Sequence, residues 1–237
     1  MSDACDARTF LLHEDAHILV FNKPAGLAVQ GGAGVVESLE NLLAAFAKSN
    51  GKRPRLVHRL DRETSGLIVA ARTKPAAAFL SAAFAERRVE KTYLAIVCGG
   101  APAPPAGGIE APLRKAKRAG LDIMEVAAGG QAARSIYQTL FATAQAALVE
   151  LRPETGRMHQ LRVHLAHMGR PILGDSKYGG LFAIGDVTAP GLLLHAARLT
   201  IPHPAGGDMK FTAPPPAAFA QIVARLGLKL AESGASA

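Results

Sequence analysis

The 237-residue chain has no tryptophan, three tyrosines and two cysteines, Cys5 and Cys98. Two cysteines without a partner motif exclude a disulfide framework, and both are expected to be reduced thiols of a cytoplasmic protein. Aromatic residues make up 5% of the chain, which argues against a broad base-stacking platform. Apolar runs stop well short of the ~18 residues that a membrane span needs. The first ten residues carry Asp3 and Asp6 and no apolar core, so they do not read as a secretory signal. There is no GxxxxGK[ST] motif. Gly31, Gly32 and Gly34 do not complete a dinucleotide fingerprint, and Ser65 lacks a GxSxG elbow. No cofactor is expected.

What is present is core-forming material and an excess of positive charge. Hydrophobic residues are 49% and charged residues 19%, a balance that excludes global disorder. A chain of this length can bury about 70% of its unfolded surface without a metal or disulfide staple. The formal net charge is +8, and it is uneven. Between Lys52 and Lys91 stand ten basic side chains against four acids, and Arg114, Lys115, Lys117 and Arg118 form a second basic knot. Clustered cations are the footprint of a polyanion partner, usually nucleic acid. A solvated basic surface is the other reading, and charge alone leaves both open.

The organisation reads as α+β. Strand patterns run over His17–Phe21, Gly66–Ala71, Thr92–Val97, Ile123–Val126, Ser135–Leu140, Ala147–Leu151 and Leu192–Ile201. Helical patterns run over Ser38–Lys48, Pro75–Arg87 and Met158–Met168, with a last helix after Pro216 carrying Phe219, Ile222, Val223 and Leu226. Phe79 and Phe84 are placed to face the core. Strands outnumber helices without alternating with them, which favours a mostly antiparallel or mixed sheet. Gly99–Gly108 reads as a flexible loop or a hinge between two halves.

Two segments concentrate reactive side chains. In Leu56–Thr73, LVHRLDRETSGLIVAART, a charged loop with His58, Arg59, Asp61, Arg62 and Glu63 lies between two apolar strands. Such a loop is where a rigid scaffold presents catalytic groups. Arg59 and Arg62 flank Asp61, and nearby cations keep a carboxylate ionised for nucleophilic or general-base work. An ion-paired surface turn is the alternative. In Arg152–Tyr178, Arg162 sits in an apolar helix between Leu161 and Val163. A cation there needs a carboxylate partner, and Asp61 is the one the sequence names. His159, His164 and His167 match no metal spacing and have no carboxylate among them, so no metal is expected. Tyr93 stands in a basic stretch after Lys91, and is equally readable as a half-buried strand tyrosine.

These residues resemble a known family. VHRLDRETSGLIVAA, Val57–Ala71, is similar to the signature of the RluA family of RNA pseudouridine synthases. DAHILVFNKPAGLAVQGG (Asp15–Gly32), EKTYLAIVCG (Glu90–Gly99), RPETGRMHQLRVHLAHMGRPILGDSKYG (Arg152–Gly179) and LLLHAARLTIPHP (Leu192–Pro204) resemble its other blocks, in order. The resemblance implies an isomerase that turns uridine into pseudouridine in structured RNA, ribosomal or transfer, without cofactor or metal. It makes Asp61 the catalytic aspartate, Tyr93 the tyrosine that packs on the target uracil, and Arg162 the arginine that pairs with the aspartate. Arg59 becomes the residue associated with flipping the nucleotide. Arg62, His58 and Lys91 join Arg59 as expected RNA contacts. The implied fold is a curved mixed, largely antiparallel sheet with flanking helices and a central catalytic cleft.

One catalytic domain is expected over residues 10–230, with flexible termini at 1–9 and 231–237. Many longer family members carry an RNA-binding module before the catalytic block, and here that block starts near Phe10. A monomer with no membrane association is expected. The competing readings are a non-catalytic RNA-binding protein that keeps the fold and a glycoside hydrolase pairing Asp61 with Glu154.

Overall fold

A computed structural model describes residues 6–32 and 35–230. Expectations for residues 1–5 and 231–237 lie outside the described residues. In chain order the strands are β1 (Leu11–Glu14), β2 (Ile18–Lys23), β3 (Arg55–Leu56), β4 (Ser65–Ala71), β5 (Glu90–Cys98), β6 (Ala106–Glu110), β7 (Leu113–Arg118), β8 (Leu121–Val126), β9 (Arg134–Ala142), β10 (Ala146–Pro153), β11 (Ala183–Ile184), β12 (Val187–Thr188), β13 (Leu194–Pro202) and β14 (Asp208–Thr212). The α-helices are α1 (Leu39–Leu42), α2 (Lys74–Ala85), α3 (Gln160–His167) and α4 (Ala217–Arg225). The fold class is α+β, as the sequence indicates. The chain divides into two compact units, the first up to Lys91 with Ala196–Pro214, the second Thr92–His195 with the residues after Pro214.

In the first unit the strand order is β1, β2, β4, β13, β14, with β3 beside β4. β1, β2 and β3 pair antiparallel with their neighbours, as do β13 and β14. Every residue of β4 is buried, which explains why its sequence, SGLIVAA, does not alternate between apolar and polar. On one face Leu67, Val69 and Ala71 meet Ala76, Leu80 and Ala83 of α2. On the same sheet, Phe21 of β2 stacks edge-on with Phe46 and Phe10, at 5.5 and 5.9 Å between centroids. Thr73 caps α2 by accepting the Ala76 N–H at 3.2 Å, with Pro75 in the first turn.

Three expectations need correcting here. Phe79 does not face the core: it is 37% exposed, with the Arg88 guanidinium 5.8 Å over its ring. The helix expected over Ser38–Lys48 tightens after one turn into a 3-10 helix, Leu43–Phe46, which buries Leu43 and Phe46. Residues 6–9 are not a loose end: Asp6 caps a 3-10 helix, Ala7–Phe10, and Ala7 is buried.

In the second unit the strand order is β5, β10, β9, β6, antiparallel throughout. Its main core joins Val97, Leu148, Leu161, Leu165, Ile172 and Leu193 to Phe219, Ile222 and Val223 of α4. A smaller core forms on the opposite side of α3, from Met158, Val163 and Ala166 against Ile123 and Met124 of β8 and Tyr178. The hairpin β7–β8 is a two-stranded sheet of its own. Gly99–Gly108 is not a hinge between the units. It lies inside the second unit, with Gly100 and Pro102 buried and β6 beginning at Ala106.

Candidate active site

The residues to which the sequence assigns chemistry fall into two constellations, one in each unit. In the first unit, the turn Asp61–Thr64 closes with the Thr64 N–H donating to the Asp61 carbonyl at 3.1 Å. Leu60, Thr64 and Ser65 are buried and anchor the turn, while Arg59 and Arg62 are exposed and Asp61 is half-buried. A second turn, after β2, grips the first. The Gly26 N–H donates to the Arg62 carbonyl at 2.9 Å, and Arg62 Nε donates back to the Gly26 carbonyl at 3.0 Å. Gly26 has φ +88°, a left-handed conformation that a side-chain-bearing residue adopts only at a cost.

Beneath both turns lies Lys23, fully buried. Its ammonium donates to the carbonyls of Pro24 (2.8 Å), Leu27 (2.9 Å) and Arg62 (3.1 Å). All three of its donors are thereby used. Burial pulls its pKa down to about 7, while the negative charge of Asp61 acts to raise it. Lys23 therefore ties the aspartate turn to β2 through backbone oxygens and sets a cation close to the Asp61 carboxylate. Sequence reasoning did not single it out. The available signal was a lone lysine at the end of an apolar strand.

At the other end of the loop, His58 works within the fold. Its Nε2 accepts the Val69 N–H at 3.0 Å, continuing the ladder on β4 just beyond the two residues of β3. Its ring stacks on Phe84 at 4.3 Å. Burial, aided by the charge of Lys91, takes its pKa down to about 3. His58 is thus engaged within the first unit through both its ring nitrogen and its ring face. Phe84 thereby packs on His58 as well as on the core of its unit. Lys91 is half-buried, and burial lowers its pKa too. Gly66, just after the loop, has φ +110°, and a Cβ there would lie 2.3 Å from the Ala196 carbonyl oxygen of β13. Only glycine lets the two backbones approach so closely.

In the second unit, α3 carries the buried Arg162. Its carboxylate partner there is Asp175: Nε donates to Oδ2 at 2.8 Å and Nη2 to Oδ1 at 2.7 Å. Both residues are at most 2% exposed. Asp175 also accepts the N–H groups of Lys177 and Tyr178. The Tyr178 ring lies 5.2 Å under the guanidinium, and its hydroxyl accepts the Met124 N–H and pairs with His159 Nδ1 at 2.7 Å. The need for a carboxylate beside Arg162 was legible. Asp175, thirteen residues further on in a Gly-flanked loop, was not identified.

Of the two histidines of α3, His164 is buried and fully bonded, while His167 is exposed. His164 donates from Nε2 to the Ala111 carbonyl and accepts at Nδ1 from the Ser135 hydroxyl, which in turn accepts from Gln160. Both ring nitrogens are committed. Among the described residues no cluster of His, Cys, Asp or Glu could hold a metal ion. Tyr93 lies on β5 opposite Leu151 of β10, half-buried against the main core of its unit. Glu154 is exposed and ion-paired with Arg134 at 2.8 Å. A water-facing, cation-paired carboxylate is a poor general acid, so the hydrolase reading loses its second carboxylate.

An antiparallel α+β protein with an aspartate on a clamped turn and an arginine buried in a helix has counterparts among known proteins. Residues 17–167 match the family of RNA pseudouridylate synthases. The ribosomal large subunit pseudouridine synthase C of Rickettsia bellii is 42% identical over 172 residues, 72% of this chain and 56% of that protein. The ribosomal large subunit pseudouridine synthase D of Pseudomonas aeruginosa is 37% identical over 239 residues, 94% of this chain and 73% of that protein. The solved structure of human RNA Pseudouridylate Synthase Domain Containing 4 matches with a TM-score of 0.80 at 31% identity, covering 94% of this chain and 95% of that one. The chain belongs to the RNA pseudouridylate synthase family. It spans between about half and three quarters of the length of the two bacterial relatives.

Proposed function

We propose that this protein isomerises uridine to pseudouridine in structured RNA, with Asp61 as the nucleophile. The observation that carries this reading is the Asp61 turn, clamped by Gly26 and by the buried Lys23. A nucleophile must be held in a near-attack position, and a turn fixed at both ends supplies that. The reaction breaks the bond from the sugar to N1 of uracil and forms one from the sugar to C5. C5 loses a proton and N1 gains one, so the reaction consumes no redox equivalent and no ATP. The target base has to leave the stack, at a cost of a few kcal/mol. Arg59, exposed on the loop, extrudes it. Tyr93 packs on the extruded uracil and Arg162 serves the aspartate step, roles carried over from the family resemblance. Arg62 and Lys91 contact phosphate.

The substrate we favour is large-subunit ribosomal RNA, supported by the names of the two bacterial relatives. The protein works as a monomer in the cytoplasm, away from membranes. No helix among the described residues is long and apolar enough to cross one. The test maps pseudouridines in ribosomal and transfer RNA from cells with and without the protein. Loss of sites in large-subunit ribosomal RNA is expected. Loss confined to transfer RNA overturns the substrate. No lost site overturns the activity and leaves a non-catalytic RNA-binding protein.

A further inference from the structure

We propose that the basic hairpin β7–β8 and the pocket at its root form a second RNA-docking surface, which holds one unstacked nucleotide and the phosphates beside it. The proposal rests on the RNA-modifying reading above, and every residue in it belongs to the second unit. A strand with one face on a core alternates buried and exposed positions. β7 does not: Arg114, Lys115, Lys117 and Arg118 are all exposed, so both faces of the ribbon carry cations. The hairpin has four cations against two carboxylates, Asp122 and Glu125. Glu125 pairs with Arg114 at 2.7 Å; Asp122 stands opposite Lys117 in the register, and among the described residues neither Lys115 nor Lys117 is in an ion pair. A solvent-exposed pair such as Arg114–Glu125 is weak, so a phosphate can displace the carboxylate.

The ribbon is firmly held at its root. Leu113 exchanges two backbone hydrogen bonds with Gln131, at 2.9 and 2.8 Å. The Met124 N–H is capped by the Tyr178 hydroxyl, and Ile123 and Met124 pack on α3. The far end is a tight turn, with Ala119 and Gly120 both at positive φ.

At the root lies a pocket of about 260 Å³. Arg114, Lys115 and Arg157 line it, with Leu113, Met124 and Met158 supplying apolar surface. Arg157 is steadied by donating from Nε to the Ala132 carbonyl at 3.2 Å. No carboxylate lines the pocket. Gly130 forms part of the wall, where a Cβ would lie 2.7 Å from the Leu113 backbone. Cations beside apolar surface suit a ligand with an anionic group and a flat apolar body, which describes a nucleotide. The volume falls below the 300–1,000 Å³ usual for small-molecule sites, and the cations continue past the pocket to Lys117 and Arg118. Lys115 and Lys117 point to the same face about 7 Å apart, a stride suited to successive phosphates of one strand. Both features favour one residue of a longer chain over a free nucleotide. Sequence-specific RNA recognition uses such unstacked bases.

The test compares the full chain with a Lys115→Ser, Lys117→Ser double variant. Both substitutions are on exposed side chains, and an unchanged thermal midpoint confirms folding. Binding to unmodified, transcribed large-subunit ribosomal RNA is measured between 50 and 200 mM salt. We expect affinity to fall at least about tenfold and the slope of log affinity against log salt to shrink by about 1.5, near one phosphate contact per lysine. Photo-cross-linking to the same RNA carrying 4-thiouridine should label the Leu113–Met124 or Gly129–Met158 peptides. An unchanged salt slope and affinity, or a cross-link map without those peptides, overturns the proposal. Isomerisation is scored separately, by release of tritium from uridine C5. A wild type that docks through the hairpin but releases no tritium fails the enzymatic reading and leaves the docking surface standing.

Discussion

The Asp61 turn and the Arg162 helix solve the same problem, holding a charged group still, by opposite means. Asp61 sits on a half-buried turn held through its main-chain oxygen: the Arg62 carbonyl accepts from the Gly26 N–H and from the Lys23 ammonium. Arg162 is buried and fixed by side chains, through a two-pronged ion pair with Asp175 and the Tyr178 ring. The difference follows from burial. A turn near solvent can be held by bonds to its main chain. A guanidinium at 2% exposure must have its charge answered in place, because an unpaired buried charge costs several kcal/mol.

The contrast can be broken most forcefully at Asp175. Asp175→Ala leaves Arg162 without its fork and two backbone N–H groups without their acceptor. Stability should fall by about 3–5 kcal/mol, a drop in thermal midpoint of about 6–20 °C for a chain of this size. A shift of less than about 2 °C would mean that Asp175 is not what answers the guanidinium.

Lys23→Met tests the backbone-held side. Three carbonyls lose their donor, and a net loss of about 1–3 kcal/mol is expected. Activity should suffer more than stability, since a small displacement of a reacting group can cost about a hundredfold. The pH dependence carries a further signature. Folded Lys23 titrates near 7 against an ordinary 10.5. Between those values the unfolded chain binds a proton that the folded chain lacks, so wild-type stability relative to Lys23→Met rises with pH across that window. Below about pH 7 both states are protonated and the difference is flat. Denaturant midpoints at pH 7 and 9 check this, and a difference that shrinks toward pH 9 contradicts it.

The smallest effect is expected at His58. His58→Leu leaves the Val69 N–H without its acceptor, at about 1–2 kcal/mol. The folded imidazole titrates near 3 against an ordinary 6.5. On acidification through that interval the unfolded chain takes up a proton that the fold refuses. Wild type should therefore lose stability faster than the variant as pH falls from 6.5 to 3. Parallel acid-unfolding curves would show that His58 is not held neutral.

Much of this architecture was legible from local pattern. β4 and β10 were found because their apolar runs are continuous. α3 was found within two residues at its start and one at its end, because its apolar residues Leu161, Val163 and Leu165 are bounded by Gly169 and Pro171. β6 was hidden because its sequence, AGGIE, has almost no strand-forming content, and β14 because DMKFT lies among prolines and glycines. Phe79 was misplaced because periodicity gives the spacing of a helix's apolar stripe but not which side meets the sheet. Small residues, Ala76 and Ala83 around Leu80, took that side. At the site, the charged loop was readable because it interrupts two apolar strands. Lys23 and Asp175 were not, since each is defined by partners remote in sequence: Arg62 for the lysine, and an arginine on a different element for the aspartate.

The central claim is that Asp61 performs the chemistry rather than stabilising the loop or binding RNA. The most direct measurement is tritium release from RNA labelled at uridine C5, by wild type and Asp61→Asn at matched concentration. RNA affinity and thermal midpoint are recorded for both proteins. Amide and carboxylate are nearly isosteric, so the variant should fold and bind RNA as wild type does while releasing tritium at least about a thousandfold more slowly, the scale expected when a nucleophile is removed. A variant that binds normally and retains a substantial fraction of wild-type release would contradict the account.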